Sequence, residues 1–208
     1  MLRPSSSLAD ALARRLRALE SVRAKIEELV SSRVLSEKAA EHVYEGLFLN
    51  AHVPFEGFLE DLFIGLLVDG QGVLSSRSDI KPRVAIRLHR IARQLLSGPQ
   101  RRYVAWFPYE RTIEMASLYF QGGRPFTELS EAQRQQLRKS HIIRNAIAHR
   151  SRFSMHQFEK QVIGNTPLPP RERTPAGFLR GQFRITPKQT RYENLVSQLL
   201  LIARDLAK

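Results

Sequence analysis

Apolar residues recur at spacings of three and four from Leu12 through Leu16, Leu19, Val22, Ile26 and Leu29, which is one face of an α-helix. Ser7 and Asp10 stand where that helix would open. Ser36 can cap a second helix, EKAAEHVYEGLFLN, after which Pro54 either kinks it or takes the first turn of a new segment, PFEGFLEDLFIGLLV. Residues 69–79 read as a loop. Val84, Leu88, Ile91 and Leu95 predict an amphipathic helix over 82–97, with Arg83, Arg87, Arg90 and Arg93 on another face. ERTIEMASLYF follows as a shorter helix. Ser130 and Gln133 form a capping box for the helix that contains LRKSHIIRNAIAHR. Thr186, Pro187 and Gln189 announce the last helix. Before it, the prolines and glycines of 164–186 exclude a helix, and GFLRGQFRI alternates like a small β-hairpin or extended arm. The pattern is all-α: one helical-bundle domain over 1–208, with an extended basic insertion at 164–186.

Charge sharpens this picture. The 208 residues carry 33 Lys and Arg against 20 Asp and Glu, a formal net charge of +13. Such a balance favours a polyanionic partner, either nucleic acid or an acidic lipid surface. Three segments concentrate it. Residues 81–102 hold seven Lys and Arg and no acid, residues 131–156 hold six against Glu131, and residues 171–191 hold six against Glu172. Arg83, Arg87 and Arg90 are placed to follow a phosphate backbone, although a solvated face explains any one such helix. Trp106, Phe107 and Tyr109 have the rings to stack on bases, but the same residues before a helix suit a core.

Several chemistries are excluded. The absence of cysteine removes disulfides, thiol nucleophiles and thiolate metal sites. No Walker A loop, dinucleotide glycine fingerprint, GxSxG elbow or HExxH is present. No histidine has an acid three residues before it, as a ferritin-like di-metal bundle requires. His52, Glu56 and Glu60 share a stripe if a helix runs through Pro54, and a polar strip at a kink accounts for them better than a metal does. No cofactor and no metal are expected. The longest apolar run, LFIGLLV at 62–68, falls far short of the ~20 residues that span a bilayer. A cytoplasmic protein without membrane attachment is expected. The Arg- and Ser-rich opening faintly resembles a transit peptide, but Asp10 and Glu20 oppose that.

The chemistry concentrates in RNAIAH, residues 144–149. At about 100° per residue, His141, Asn145 and His149 line one helical stripe. Arg144 is rotated away, but its long side chain can reach the shared edge. Ile142, Ile143, Ala146 and Ile147 supply the core side. Imidazole, guanidinium and carboxamide together suit phosphodiester cleavage: the first moves a proton, the second meets phosphoryl charge, and the third orients. A partly exposed polar face, with His149 bonded to a neighbouring helix, accounts for the same residues. One imidazole serves only as acid or base in one step, so a second proton-transfer group must come from elsewhere, and a two-fold partner would supply it.

The stretch LRKSHIIRNAIAHR resembles the motif helix of HEPN domains (higher eukaryotes and prokaryotes nucleotide-binding), in which Arg is followed by a polar residue and, after four to six intervening residues, by His. Arg144, Asn145 and His149 match the form with four, and VPFEGFLEDLFIGLL is similar to the aromatic and acidic helix of several subfamilies. The specific match covers about fifteen residues. The resemblance implies an up-down helical bundle with the motif helix third, and a metal-independent endoribonuclease acting as a homodimer with a composite active site. His149 would assist attack of the ribose 2′-hydroxyl or protonate the leaving 5′-oxygen. Arg144 would stabilise the phosphorane-like charge, and Asn145 would orient the histidine. Products would carry a 2′,3′-cyclic phosphate and a 5′-hydroxyl, and DNA would be inert. His141, Lys139, Arg150 and Arg152 would join Arg83, Arg87 and Arg90 in binding RNA. Toxin, phage-defence or RNA-processing roles follow, with an antitoxin or nucleotidyltransferase partner. The alternative is a non-catalytic HEPN-type module that binds RNA or a partner.

Overall fold

The computed structural model of the chain describes residues 3–68, 73–98 and 103–208. Residues 69–72 of the expected loop, and Arg101 and Arg102 of the basic segment, lie outside the described residues. The fold is all-α. Its helices are α1 (Ser6–Ser31), α2 (Glu37–Leu67), α3 (His89–Ser97), α4 (Tyr109–Tyr119), α5 (Glu131–His149), α6 (Arg152–Phe158), α7 (Pro175–Arg180) and α8 (Arg191–Leu206). Short strands β1 (Arg3–Pro4) and β2 (Val73–Leu74) pair in parallel, and β3 (Gln182–Arg184) and β4 (Gln189–Thr190) pair antiparallel.

Local chemistry accounts for the helix boundaries. Ser36 Oγ accepts from the Ala39 amide at 3.2 Å and starts α2. That helix continues past Pro54. At α5 the capping box is reciprocal: Gln133 N donates to Ser130 Oγ at 3.3 Å, and Ser130 N donates to Gln133 Oε1 at 2.9 Å. A second box, Thr190 with Glu193, opens α8 at Arg191 rather than at Pro187.

Two further expectations need correction. The helix expected over 82–97 begins only at His89. Residues 81–86 pair instead with other backbone, Arg83 N donating to Tyr119 O at 2.8 Å and Gln121 N to Lys81 O at 2.9 Å. Ile86 bridges Val68. Tertiary pairing therefore overrides a periodicity that is present in the sequence. Val84, Leu88, Ile91 and Leu95 are exposed, and Ala92 is the buried residue of α3. The insertion also contains a helix. Thr174 Oγ1 caps α7 by accepting from Gly177 N at 3.1 Å, with Pro175 in the first turn. Gly177 is needed there, because a Cβ would stand 2.0 Å from the Arg171 carbonyl oxygen. Of the GFLRGQFRI stretch expected as a hairpin or arm, Gly177–Arg180 is helical, and only Gln182–Arg184 forms a strand, which pairs with Gln189–Thr190 beyond it.

The chain forms two compact units, one from Met1–Ala13, Phe55–Gln135 and Leu200–Lys208, the other from Arg14–Pro54 and Gln136–Leu199. The first is built around Phe63, whose ring lies 4.9 Å from Phe126, 5.0 Å from Phe120 and 5.2 Å from Trp106. Trp106, Phe107 and Tyr109 are all buried in this core. The second unit packs Tyr44, Phe48, Ile143, Ile147, Phe158, Phe178, Tyr192 and Leu195 into one cluster. Polar order surrounds it. Tyr44 Oη donates to Glu27 at 2.9 Å, Arg180 Nε donates to the same carboxylate at 2.9 Å, and Arg23 meets Glu20 and Glu193.

Burial acts to raise the pKa of Glu27, but the hydrogen bonds from Arg180 and Tyr44 outweigh it and hold the carboxyl below its ordinary value. A lowered carboxyl pKa contributes stability above the unfolded value and loses it as pH falls through the folded one. Glu27→Gln is therefore expected to be less stable than wild type at neutral pH, with the two urea-unfolding curves converging as pH drops below 4.5. Curves that stay parallel would remove the network from the stability balance. Phe63→Ala should cost about 3–5 kcal/mol in the same assay.

Candidate active site

The 136–149 part of α5 turns Ile143, Ala146 and Ile147 into the core of the second unit and leaves the opposite side polar. On that side a chain of contacts runs back along the helix. Arg144 Nη1 donates to Asn145 Oδ1 at 3.1 Å, and Asn145 Nδ2 lies 3.0 Å from His141 Nε2. A guanidinium can only donate, so it selects the carboxamide oxygen. The amide nitrogen is then the group facing His141 Nε2. The His141 ring centroid lies 6.3 Å from that of His52, a buried residue of α2, and His52 lies 6.3 Å from Phe48.

Arg144 is half-buried, and its Nε is buried without a hydrogen-bond partner among the described residues. The other half-buried arginines are met differently. Arg23, Arg180 and Arg191 pair with glutamates, Arg77 pairs with Asp79 and Glu128, and Arg134 donates to the carbonyls of Leu129 and Thr127. Arg144 meets only a neutral carboxamide. Taking a cation partly out of water without an anion is costly. Among the described residues, the Arg144 charge therefore faces no carboxylate.

His149 is the last residue of α5 and is exposed, with no ion pair or hydrogen bond among the described residues. Asn145 contacts His141, while the described residues give it no hydrogen bond to His149. The structure thus joins Arg144, Asn145 and His141, and leaves His149 at the open end of their stripe. Next to it Arg150 adopts φ +47° and donates to Glu45 Oε2 of α2 at 2.5 Å. Glu45 also lies 3.7 Å from His42 Nδ1. These two α2 residues escaped the sequence reading, although the i, i+3 spacing of His42 and Glu45 was available as a signal.

The remaining candidates are scattered. Lys139 is half-buried 5.1 Å from the Phe178 ring centre, and burial, then the Arg191 charge, lowers its pKa. Arg152 is exposed in the first turn of α6. Arg87 and Arg90 are exposed without carboxylate partners among the described residues, whereas Arg83 Nε donates to Phe120 O at 3.1 Å and Arg93 pairs with Glu60. Since residues 82–88 are not helical, these four arginines do not share one helix face. The insertion is less basic than its composition: Arg171 pairs with Glu41 and Glu37, Arg173 with Glu159, and Arg191 with Glu172. Glu60 of the expected His52, Glu56 and Glu60 stripe accepts from Arg93 and Trp106. Among the described residues no three His, Asp or Glu side chains are grouped to hold a metal, and no helix is long and apolar enough to cross a membrane.

In comparisons with known proteins, no family model, curated protein or solved structure matches the chain.

Removing the Asn145 amide leaves Arg144 and His141 without their mutual bridge. Asn145→Ala is expected to lower the unfolding free energy by about 1–3 kcal/mol, while His149→Ala stays within about 0.5 kcal/mol of wild type. Urea denaturation of the three proteins checks this. A neutral Asn145→Ala would mean that the bridge carries no stability.

Proposed function

We propose that the chain is a HEPN-type endoribonuclease that cleaves RNA through Arg144 and His149. The observation that carries this reading is the half-buried guanidinium of Arg144, which has no carboxylate and is held by Asn145 one helical turn from an exposed histidine. The other half-buried arginines among the described residues are neutralised by carboxylates or satisfied by carbonyls. A charge kept open at this cost suits a phosphoryl group whose negative charge grows during reaction.

In the reaction the 2′-hydroxyl attacks the adjacent phosphorus as His149 accepts its proton. Arg144 stabilises the charge on the phosphoryl oxygens. The bond to the 5′-oxygen breaks, giving a 2′,3′-cyclic phosphate and a 5′-hydroxyl. The nucleophile belongs to the substrate, so proton transfer and charge stabilisation are what the protein must supply, and a metal is not required by this chemistry. Arg150 and Arg152 extend positive charge past the histidine, and RNA is the partner.

The test is cleavage of mixed cellular RNA by purified protein with EDTA present throughout. Wild type should give discrete products with cyclic-phosphate ends and leave DNA intact. His149→Ala and Arg144→Ala should each lose about a hundredfold or more of the rate, His149→Ala with RNA binding retained. Equal nucleolytic traces in wild type and His149→Ala, with RNA bound and uncut, would assign the motif to a binding module instead.

A further inference from the structure

We infer that His42 is the second proton-transfer group and that it lies in the same chain as His149; the inference rests on the ribonuclease reading above. Two contacts fix how α2 and α5 lie in the second unit. His52 faces His141, and Glu45 meets Arg150. The α2 number falls while the α5 number rises, so the two helices run antiparallel along this seam. Between the two contacts the α5 stripe passes from His141 through Asn145 to His149, and it reaches the level of Glu45 at the residue before Arg150. His42 stands three residues from Glu45, which is about 4.5 Å along the helix axis. The seam is buried at the His52 end and open at the other, where His42 and His149 are both exposed.

Glu45 is the element that places the pair. Its side chain is largely covered, it takes the Arg150 guanidinium at 2.5 Å, and it lies 3.7 Å from His42 Nδ1. That distance is too long for a hydrogen bond. It turns one edge of the imidazole toward the carboxylate and leaves Nε2 for substrate. The Arg150 bond also ties the end of α5, and with it His149, to the same carboxylate. The α5 histidines are thereby divided by role. His141 is held by Asn145 inside the seam, and His149 has no such tie.

The proton balance then closes in one chain. His149, neutral at the start, takes the proton of the ribose 2′-hydroxyl. The oxygen bonds to phosphorus, and Arg144 offsets the added negative charge. The bond from phosphorus to the 5′-oxygen breaks, and the His42 imidazolium gives its proton to that oxygen. His149 ends protonated and His42 neutral, no water is consumed, and exchange with solvent restores both. Glu45 acts as a positioning residue and touches no substrate.

The experiment uses an oligoribonucleotide that spans a mapped wild-type cleavage, made with either oxygen or sulfur at the bridging 5′ position. A thiolate leaves without needing a proton, so it reports the acid separately from the base. His42→Ala is expected to slow the oxygen substrate about a hundred- to ten-thousandfold and to cleave the sulfur substrate at close to the wild-type rate. His149→Ala should slow both. A mixture of the two variants should stay inactive, because each chain lacks one group. Unchanged oxygen cleavage by His42→Ala, with His149→Ala inactive, would overturn the inference and leave the ribonuclease reading standing. Slow cleavage of both substrates by His42→Ala would give that residue a binding or structural role and overturn it too. Activity regained on mixing would place the two groups on different chains and overturn the one-chain assignment. A wild-type protein that cuts no RNA would remove the underlying reading itself.

Discussion

A guanidinium drawn halfway out of water loses hydration that an anion normally replaces. At Arg144 the only acceptor among the described residues is the carboxamide oxygen of Asn145, and much of the polar order on α5 follows from that substitution. Asn145 can turn its oxygen to Arg144 because its amide nitrogen faces His141 Nε2. His141 in turn sits ring to ring with His52. Replacing any member changes what the next can accept or donate. The opposite side of the same helix is ordinary: Ile143, Ala146 and Ile147 bury against Tyr44 and Phe48 in the second unit's core. The helix is thus anchored by apolar contact on one side, which lets it carry an unneutralised cation on the other.

The seam between α2 and α5 also grades in exposure. Its inner end buries His52, and its outer end exposes His149, Arg150 and His42 around a covered Glu45. Arg150 takes a left-handed backbone conformation that non-glycine residues adopt at a cost. Its side chain meets Glu45, and Ser151 immediately caps α6 by accepting from Ser154 N. The turn therefore fixes where α5 stops. A histidine at the last position of a helix projects beyond the groups that would otherwise satisfy it.

Much of this was legible in the chain itself. The Ser130 and Gln133 box is present as read, and the stripe of His141, Asn145 and His149 follows directly from helical spacing. What escaped depends on contacts between distant segments. The periodicity of Val84, Leu88, Ile91 and Leu95 is genuine, but Ile86 pairs with Val68 and Arg83 with Tyr119, and no local signal carries those pairings. At α7 the run of prolines hid a start signal, Thr174 followed by Pro175, that the same capping rules recognise. Asn145 stands four residues from both His141 and His149 on one stripe, and in the structure it bonds His141. Only the position of α2, with His52 behind His141, distinguishes them. Glu45 and His42 went unread because their significance comes from Arg150, 105 residues further on.

The pairing of arginines with glutamates in the insertion has a consequence for how the molecule meets a polyanion. A cation that already holds a carboxylate brings no free charge to a phosphate, and it displaces no condensed counterion unless that internal pair opens first. Arg171, Arg173, Arg180 and Arg191 are of this kind. Arg144, Arg87 and Arg90 are not. The six Lys and Arg of residues 171–191 therefore overstate the ion release that this segment could contribute. Any dependence of polyanion affinity on ionic strength would come from cations outside such pairs, while these four arginines close the second unit upon itself.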